Sequence, residues 1–286
     1  MPHCGGAPCW GCVDVGRVVV LGSLNVDLVT PVTRIPRPGE TALATGPTRR
    51  YAGGKGANQA VAAAEAGAEV TMIGAIGDDE PGRAYAARLA ARGIETRLSV
   101  TTEHATGAAQ IWVDEAGENS IVVVAGANEA AEPDVAGIGS DDVLLCQLEI
   151  PIPVVAEAVS RATAAGARVM VNAAPYAPLP REIIEVADPL VVNEHEAALL
   201  ADSGLLPGSL LVTFGAAGAN WDGVRVDGIP VPEAEVLDTT GAGDAFCGAL
   251  AARLAAGESR SAALAVGVTA GAAAVRRVGA QPDPRL

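Results

Sequence analysis

Short apolar runs and stretches of helical periodicity take turns along this chain from residue 17 onward. The run 17–21 closes at Gly22 and predicts a buried strand, followed by a loop that carries Asn25 and Asp27. Helical patterns at 58–66, 81–91, 151–165 and 194–201 then alternate with strand patterns at 69–75, 143–148, 168–172, 189–192 and 209–214. A short β meander follows, and two apolar helices, 245–256 and 259–275, close the pattern. Strands separated by helices predict βαβ crossovers, an α/β fold and a mostly parallel sheet. Two stretches break the rhythm. Residues 28–48 alternate apolar and polar positions around Pro31, Pro36, Pro38 and Gly39, and a second alternating pair, 107–113 and 119–124, flanks the turn-like Asp114-Glu115-Ala116-Gly117. Together these predict a small β appendage placed like a lid.

Composition sharpens this picture. A chain of 286 residues that is 50% hydrophobic and 19% charged fits one large α/β domain, residues 17–286, with an appendage. Residues 1–16 are expected to be a disordered Gly/Pro-rich extension, or to follow from a start codon placed too early. His3, Cys4, Cys9 and Cys12 within it have a C-x2-C ending that could hold zinc, but no further ligands follow downstream. Cys146 and Cys247 sit in apolar patterns and are expected to be buried. A formal charge of −15 with thinly scattered Arg argues against nucleic-acid and anionic-membrane partners. Aromatics at 3% leave little for base stacking. The charge-free apolar stretch 261–275 is too short to span a bilayer, and no signal peptide is visible, so a cytoplasmic protein is expected.

Chemistry concentrates in two glycine-rich segments. Asp238-Thr239-Thr240-Gly241-Ala242-Gly243-Asp244 runs straight into an apolar helix, where unpaired N–H groups and the helix dipole favour a phosphate or an oxyanion. Asp244 adds a carboxylate at that spot, which suits a proton acceptor for an attacking hydroxyl. An ordinary turn with an Asp cap is the plain alternative. A dinucleotide fingerprint fails because position 246 is Phe246 rather than glycine, and a P-loop at Gly54-Lys55 fails because Arg49 and Gly56 occupy its flanking positions. In the second segment, Gly53-Gly54-Lys55-Gly56-Ala57-Asn58, glycines permit close approach of a ligand, Lys55 is the only lysine of the chain, and Asn58 can either cap a helix or bind hydroxyls. Asn25 and Asp27, at the carboxyl end of the first strand, are placed to meet a small polar molecule or to form an Asx turn.

Taken in order, Leu21-Gly22-Ser23-Leu24-Asn25-Val26-Asp27, Pro38-Gly39-Glu40, the Gly53–Asn58 segment, Asn193-x-x-Glu196 and Asp238–Asp244 resemble the ribokinase-like sugar kinases, the PfkB carbohydrate kinase family, over residues 18–282. The resemblance implies a three-layer α/β/α fold with a β lid and an ATP-dependent transfer of phosphate to the 5-hydroxyl of D-ribose. It implies Asn25, Asp27, Gly53, Gly54, Lys55, Asn58 and Glu149 around the sugar. Asp244 would be the base, with N–H groups of Gly241, Ala242 and Gly243 on the transferring phosphoryl group. It further implies Asn193 and Glu196 near magnesium and phosphates, Thr213, Gly215, Gly218 and Gly243 along ATP, and a potassium site from Asp238, Thr240, Ala274, Arg277, Gly279 and Asp283. A homodimer through the β lids is also implied. Alternatives are a kinase of the same fold for another sugar or a nucleoside, or a sugar-binding protein without catalysis. The short 202–208 connection and the absence of a further helix after 275 predict poorly covered apolar surface near the nucleotide edge.

Overall fold

In β1 (Val18–Leu21), Val18 and Val20 face one side of a sheet while Val19 and Leu21 face the other, and all four are buried. Two-sided burial is what a central parallel strand requires. The computed structural model describes residues 16–286, so the cysteine and histidine cluster of the N-terminal tail lies outside the described residues.

From β1 the chain passes through β2 (Asn25–Pro31), β3 (Arg49–Gly53), α1 (Lys55–Glu65), β4 (Val70–Gly77), α2 (Glu80–Ala91), β5 (Glu95–Thr101), β6 (Gly107–Val113) and β7 (Asn119–Val124). It continues with β8 (Val143–Cys146), α3 (Ile152–Ala164), β9 (Arg168–Asn172), α4 (Arg181–Val186), β10 (Leu190–Asn193) and α5 (Glu194–Asp202). The last elements are β11 (Leu210–Thr213), β12 (Gly218–Trp221), β13 (Val224–Asp227), α6 (Ala242–Ala255) and α7 (Arg260–Ala274).

Nine strands form one sheet in the order β13-β12-β11-β10-β9-β8-β1-β4-β5, parallel from β11 through β5 and closed by the antiparallel β11-β12-β13 meander. Side chains such as Val18, Val20, Met72 and Leu145 pack with Tyr85, Leu89, Phe246 and Leu250 from α2 and α6. Those of opposite parity, such as Val19, Leu21 and Leu144, pack with Val155, Val159, Ile183 and Leu200 from α3, α4 and α5. The result is the expected three-layer α/β/α arrangement. Cys146 and Cys247 are both buried and free, as expected. Among the described residues no helix is long and apolar enough to cross a membrane.

A second sheet, β3-β2-β6-β7, stands apart from the first. Its strands correct two expectations. Asn25 and Asp27 belong to β2 itself, not to a loop after β1. The segment 28–48 supplies only the end of β2 and an isolated Val32–Ala44 bridge, while Arg49–Gly53 forms the partner strand β3. Two exposed arginines at its start hide β3 from a hydrophobic pattern. β5 and α4 were likewise not foreseen: β5 is the outer strand of the large sheet, with a polar sequence, and α4 is a single short turn-and-a-half.

Both glycine segments start helices three residues earlier than their apolar patterns suggest. Gly54, at φ +85°, opens α1 at Lys55, and Gly241, at φ +76°, opens α6 at Ala242. Only glycine adopts this backbone without strain.

Candidate active site

The carboxyl ends of β1, β8 and β9 converge on the starts of α1 and α6, the crevice where open α/β sheets bind ligands. Close packing builds its floor. A Cβ on Gly56 would lie 2.5 Å from Ser23 N, one on Gly54 2.7 Å from Asn25 N, and one on Gly53 2.2 Å from the Asp27 carboxylate. The glycines of this loop are therefore fixed by contact with the β1–β2 connection, and they press the loop against Asn25 and Asp27. Glu149 ties the same region together, accepting from Ser23 Oγ at 2.5 Å and from Lys55 N at 2.9 Å. Asn25 Oδ1 accepts from Asn128 Nδ2 at 2.7 Å, and Asn128 in turn holds both the N–H and the C=O of Leu24.

Asp244 is buried in the first turn of α6. Asn58 Nδ2 donates to its Oδ2 and Gln59 Nε2 to its Oδ1, each at 2.9 Å. Gln59 also donates to Asn172 Oδ1 at 3.1 Å and accepts from Gln147 Nε2 at 2.7 Å. Gly22 leaves room for the Gln147 side chain, since a Cβ there would stand 2.0 Å from Gln147 Oε1. No side chain caps α6. Gly243 is exposed with open space where a Cβ would be, whereas Ala242 N already donates to Thr239 O at 3.3 Å and a Cβ on Gly241 would strike Ala280. Of the three residues whose N–H groups are expected to face a phosphoryl group, Ala242 already donates to Thr239 O, and Gly243 is the exposed one.

Charge is unevenly distributed here. Burial pushes the Asp27 carboxyl up to about 7, and the negative charges of Glu149 and Asp244 push in the same direction. Lys55 answers them: Asp244 raises its ammonium pKa, burial opposes that, and Glu149 adds to the rise. A single lysine thus sits in the field of carboxylates from α6, the β8 end and α5.

Next to Gly243 lies a cavity of 420 Å³ whose walls include Thr213, Gly215, Gly218, Ala242, Phe246, Ile229, Val236, Val268 and Val275. Its lining is aliphatic with one phenylalanine, which suits a flat apolar ring system held between side chains. Four of the residues expected along a nucleotide, Thr213, Gly215, Gly218 and Gly243, line it; Asn193 and Glu196 do not. These two form a capping box at the start of α5: Asn193 Oδ1 accepts from Glu196 N and Glu196 Oε2 from Asn193 N, both at 2.8 Å. Leu237, Val278 and Leu206, the last in the short connection after α5, are exposed.

Of the residues expected around potassium, Asp238 accepts from Thr240 N at 2.8 Å and from Gly279 N at 2.9 Å, bringing those three together. Asp283 lies at φ +43° and its carbonyl accepts from Arg88. Ala274 O accepts from Arg277 N at 3.1 Å, and the Arg277 guanidinium reaches Glu65 at 3.7 Å. Sequence reasoning passed over Gln59, Asn128, Gln147, Asn172 and Gln281, all buried polar residues of the site. Gln59 did leave a signal: it is a large amide in an otherwise apolar helix turn, Ala60-Val61-Ala62-Ala63.

Comparison with known proteins gives consistent matches. The family model described as pfkB family carbohydrate kinase matches residues 15–285. Ribokinase of Bacillus subtilis is 40% identical over 279 residues, covering 93% of this chain and 94% of that protein. The structure of Arabidopsis thaliana ribokinase complexed with ribose and ATP superposes with a TM-score of 0.82 at 29% identity, covering 95% of this chain and 96% of that one. A nucleoside kinase of Methanocaldococcus jannaschii, at 20% identity, has a TM-score of 0.82 over 94% of each chain, which is a likeness of fold.

Proposed function

The chain belongs to the pfkB family of carbohydrate kinases, and from that premise we propose that it transfers the γ-phosphoryl group of ATP to the 5-hydroxyl of D-ribose, giving ribose 5-phosphate and ADP. One observation carries the assignment of the chemistry: a buried carboxylate, Asp244, held by two amide donors at an uncapped helix start that adjoins a 420 Å³ apolar cavity. With the adenine in that cavity, the phosphates run toward Gly243. Asn25, Asp27, Gly53, Gly54, Asn58 and Glu149 form a ring of amide, carboxylate and backbone groups around a polyol, and Lys55 offsets its negative charge. Asp244 takes the proton of the attacking hydroxyl as the oxygen–phosphorus bond forms and the bond to the ADP oxygen breaks, while the Gly243 N–H meets charge on the transferring group.

Two cations belong to the proposal. Magnesium would be held through its waters near Asn193 and Glu196, whose hard oxygen donors suit it, and would neutralise phosphate charge. A potassium ion would use the carboxylate and carbonyl oxygens of the Asp238, Thr240, Ala274, Arg277, Gly279 and Asp283 region. The carbonyl of Asp283 would have to serve both Arg88 and the ion. In this reading residues 17–286 act as one α/β domain, with β2, β3, β6 and β7 as its lid. Pairing of two copies through these lids is supported by Ile121, Val122, Val123 and Val124, which are about half exposed on the outer strand β7.

The test is ADP release from Mg-ATP with ribose, deoxyribose, fructose or adenosine, with and without potassium. Ribose-dependent turnover that falls by about 10²–10⁴ in Asp244→Asn is the expected result. No turnover by folded, ribose-binding protein would replace the kinase with a sugar-binding function.

A further inference from the structure

The polarity of the hydrogen bonds around Asp244 extends well beyond the residues that touch it. A carboxylate only accepts, so Asn58 must turn Nδ2 toward Asp244 and its Oδ1 the opposite way. That oxygen meets Gln281 Nε2 at 2.9 Å. The same Nε2 donates to Tyr85 Oη at 2.8 Å, and Tyr85 donates onward to the Gly53 carbonyl at 2.6 Å. Gln281 and Tyr85 are 1% and 0% exposed, so water does not compete for these groups. Gln281 Oε1 has no partner among the described residues. Its amide is therefore oriented by what the nitrogen can reach. The segment that carries it is anchored on both sides, with Ala52 N of β3 donating to Pro284 O at 2.6 Å and Arg92, just after α2, donating to Pro282 O at 2.5 Å.

We propose that Gln281 is a positioning residue for phosphoryl transfer: it fixes the Asn58 amide so that N–H, not C=O, faces Asp244, and thereby holds the base in the rotamer that meets the acceptor hydroxyl. This rests on the assignment of Asp244 as the base. The terminal amide torsion is broad and two-fold, so nothing within Asn58 itself prevents a half-turn. Asp244 already disfavours that half-turn, which would set two oxygens against each other; the Gln281 donor at Oδ1 adds a second bond that the turned amide would lose, so its removal loosens the amide and with it the carboxylate.

The test is steady-state kinetics and thermal unfolding of Gln281→Met, Gln281→Glu, Asn58→Ala, the Asn58→Ala/Gln281→Met double variant and Asp244→Asn. Gln281→Met lowers kcat by about tenfold, less than the roughly 10²-fold that a 1 Å misplacement of the reacting geometry can cost. Gln281→Glu lowers it further despite its closer shape, because an ionised Glu offers only oxygen to Asn58. In the Asn58→Ala background, Gln281→Met has less than about a twofold further effect, since its route to Asp244 is already cut. A glutamine with only a packing role would lower kcat by the same factor on both backgrounds, in step with Tm, and that outcome overturns the proposal. So does wild-type kcat in both Gln281 variants. If either of these variants fails to fold, Tyr85→Phe, which removes one acceptor of Gln281 and keeps the ring, must lower kcat in the same direction; unchanged kcat there overturns the proposal too. Asp244→Asn separates the two levels. Full activity in that variant removes the base assignment and this inference with it, whereas an inactive Asp244→Asn beside unaffected Gln281 variants removes this inference alone.

Discussion

Asp27 shows how burial writes a pH response into one residue. Its carboxyl titrates near 7 in the fold and near 3.8 in an exposed chain, because burial, Glu149 and Asp244 all disfavour its charge. The folded state thus binds the proton more tightly than the unfolded state. The stability this provides is complete below about pH 3.8 and is lost as pH rises through 7. Asp27→Asn removes the dependence. Its Tm should match wild type most closely near pH 4 and exceed it by several degrees, on the order of 2–6 °C, at pH 8. Thermal unfolding at the two pH values checks this, and a constant difference would show that Asp27 titrates normally. The same substitution weakens sugar binding in the proposed function, so stability and affinity move in opposite directions at this residue.

At the scale of elements, α5 opens on a motif whose capping role is visible in the structure and whose proposed role in chemistry can be tested apart from it. Asn193 and Glu196 satisfy each other's backbone N–H groups as a capping box, which accounts for their spacing without any ligand. The two roles separate by substitution. Asn193→Ala removes the cap and should cost about 1 kcal/mol of stability. Glu196→Gln keeps an acceptor for the Asn193 N–H and should leave Tm nearly unchanged, yet it should raise the magnesium concentration needed for half-maximal turnover, because the charge is gone. A Glu196→Gln variant with an unaltered magnesium requirement would leave capping as the whole role of the motif. The glycine segments teach a related lesson: Gly54 and Gly241 set the first turns of α1 and α6, and those turns, rather than loops, present Lys55 and Asp244 to the site.

At the scale of the molecule, the small sheet leaves an outer strand, β7, with four consecutive valine or isoleucine residues near half exposure. Such an edge is a site for pairing or for aggregation. If two lids pair there, Val123→Lys should shift sedimentation of the protein from dimer to monomer, and a monomer in the unsubstituted protein would rule the pairing out. The large sheet has a different task. Its parallel strands bring the ends of β1, β8 and β9 side by side, so that Glu149, Gln147 and Asn172 face the starts of α1 and α6.

The sequence by itself determined the class of the fold and the family it belongs to. Alternating strand and helix periods dictate a parallel sheet, and the glycines at 53, 54 and 56 mark close approach of one backbone segment to another, the loop before α1 against the β1–β2 connection. Polar edge strands such as β3 and β5 were illegible because their stability comes from pairing with a neighbour rather than from an apolar pattern of their own. Apart from Asn58, the amide network around Asp244 was hidden for a similar reason. Gln59, Gln147 and Gln281 look like ordinary polar residues, and contacts such as Gln147–Gln59, Gln59–Asp244 and Gln281–Asn58 span 88, 185 and 223 positions. Only tertiary structure decided which amides are buried together, because the direction of each hydrogen bond is set by an acceptor that another part of the chain supplies.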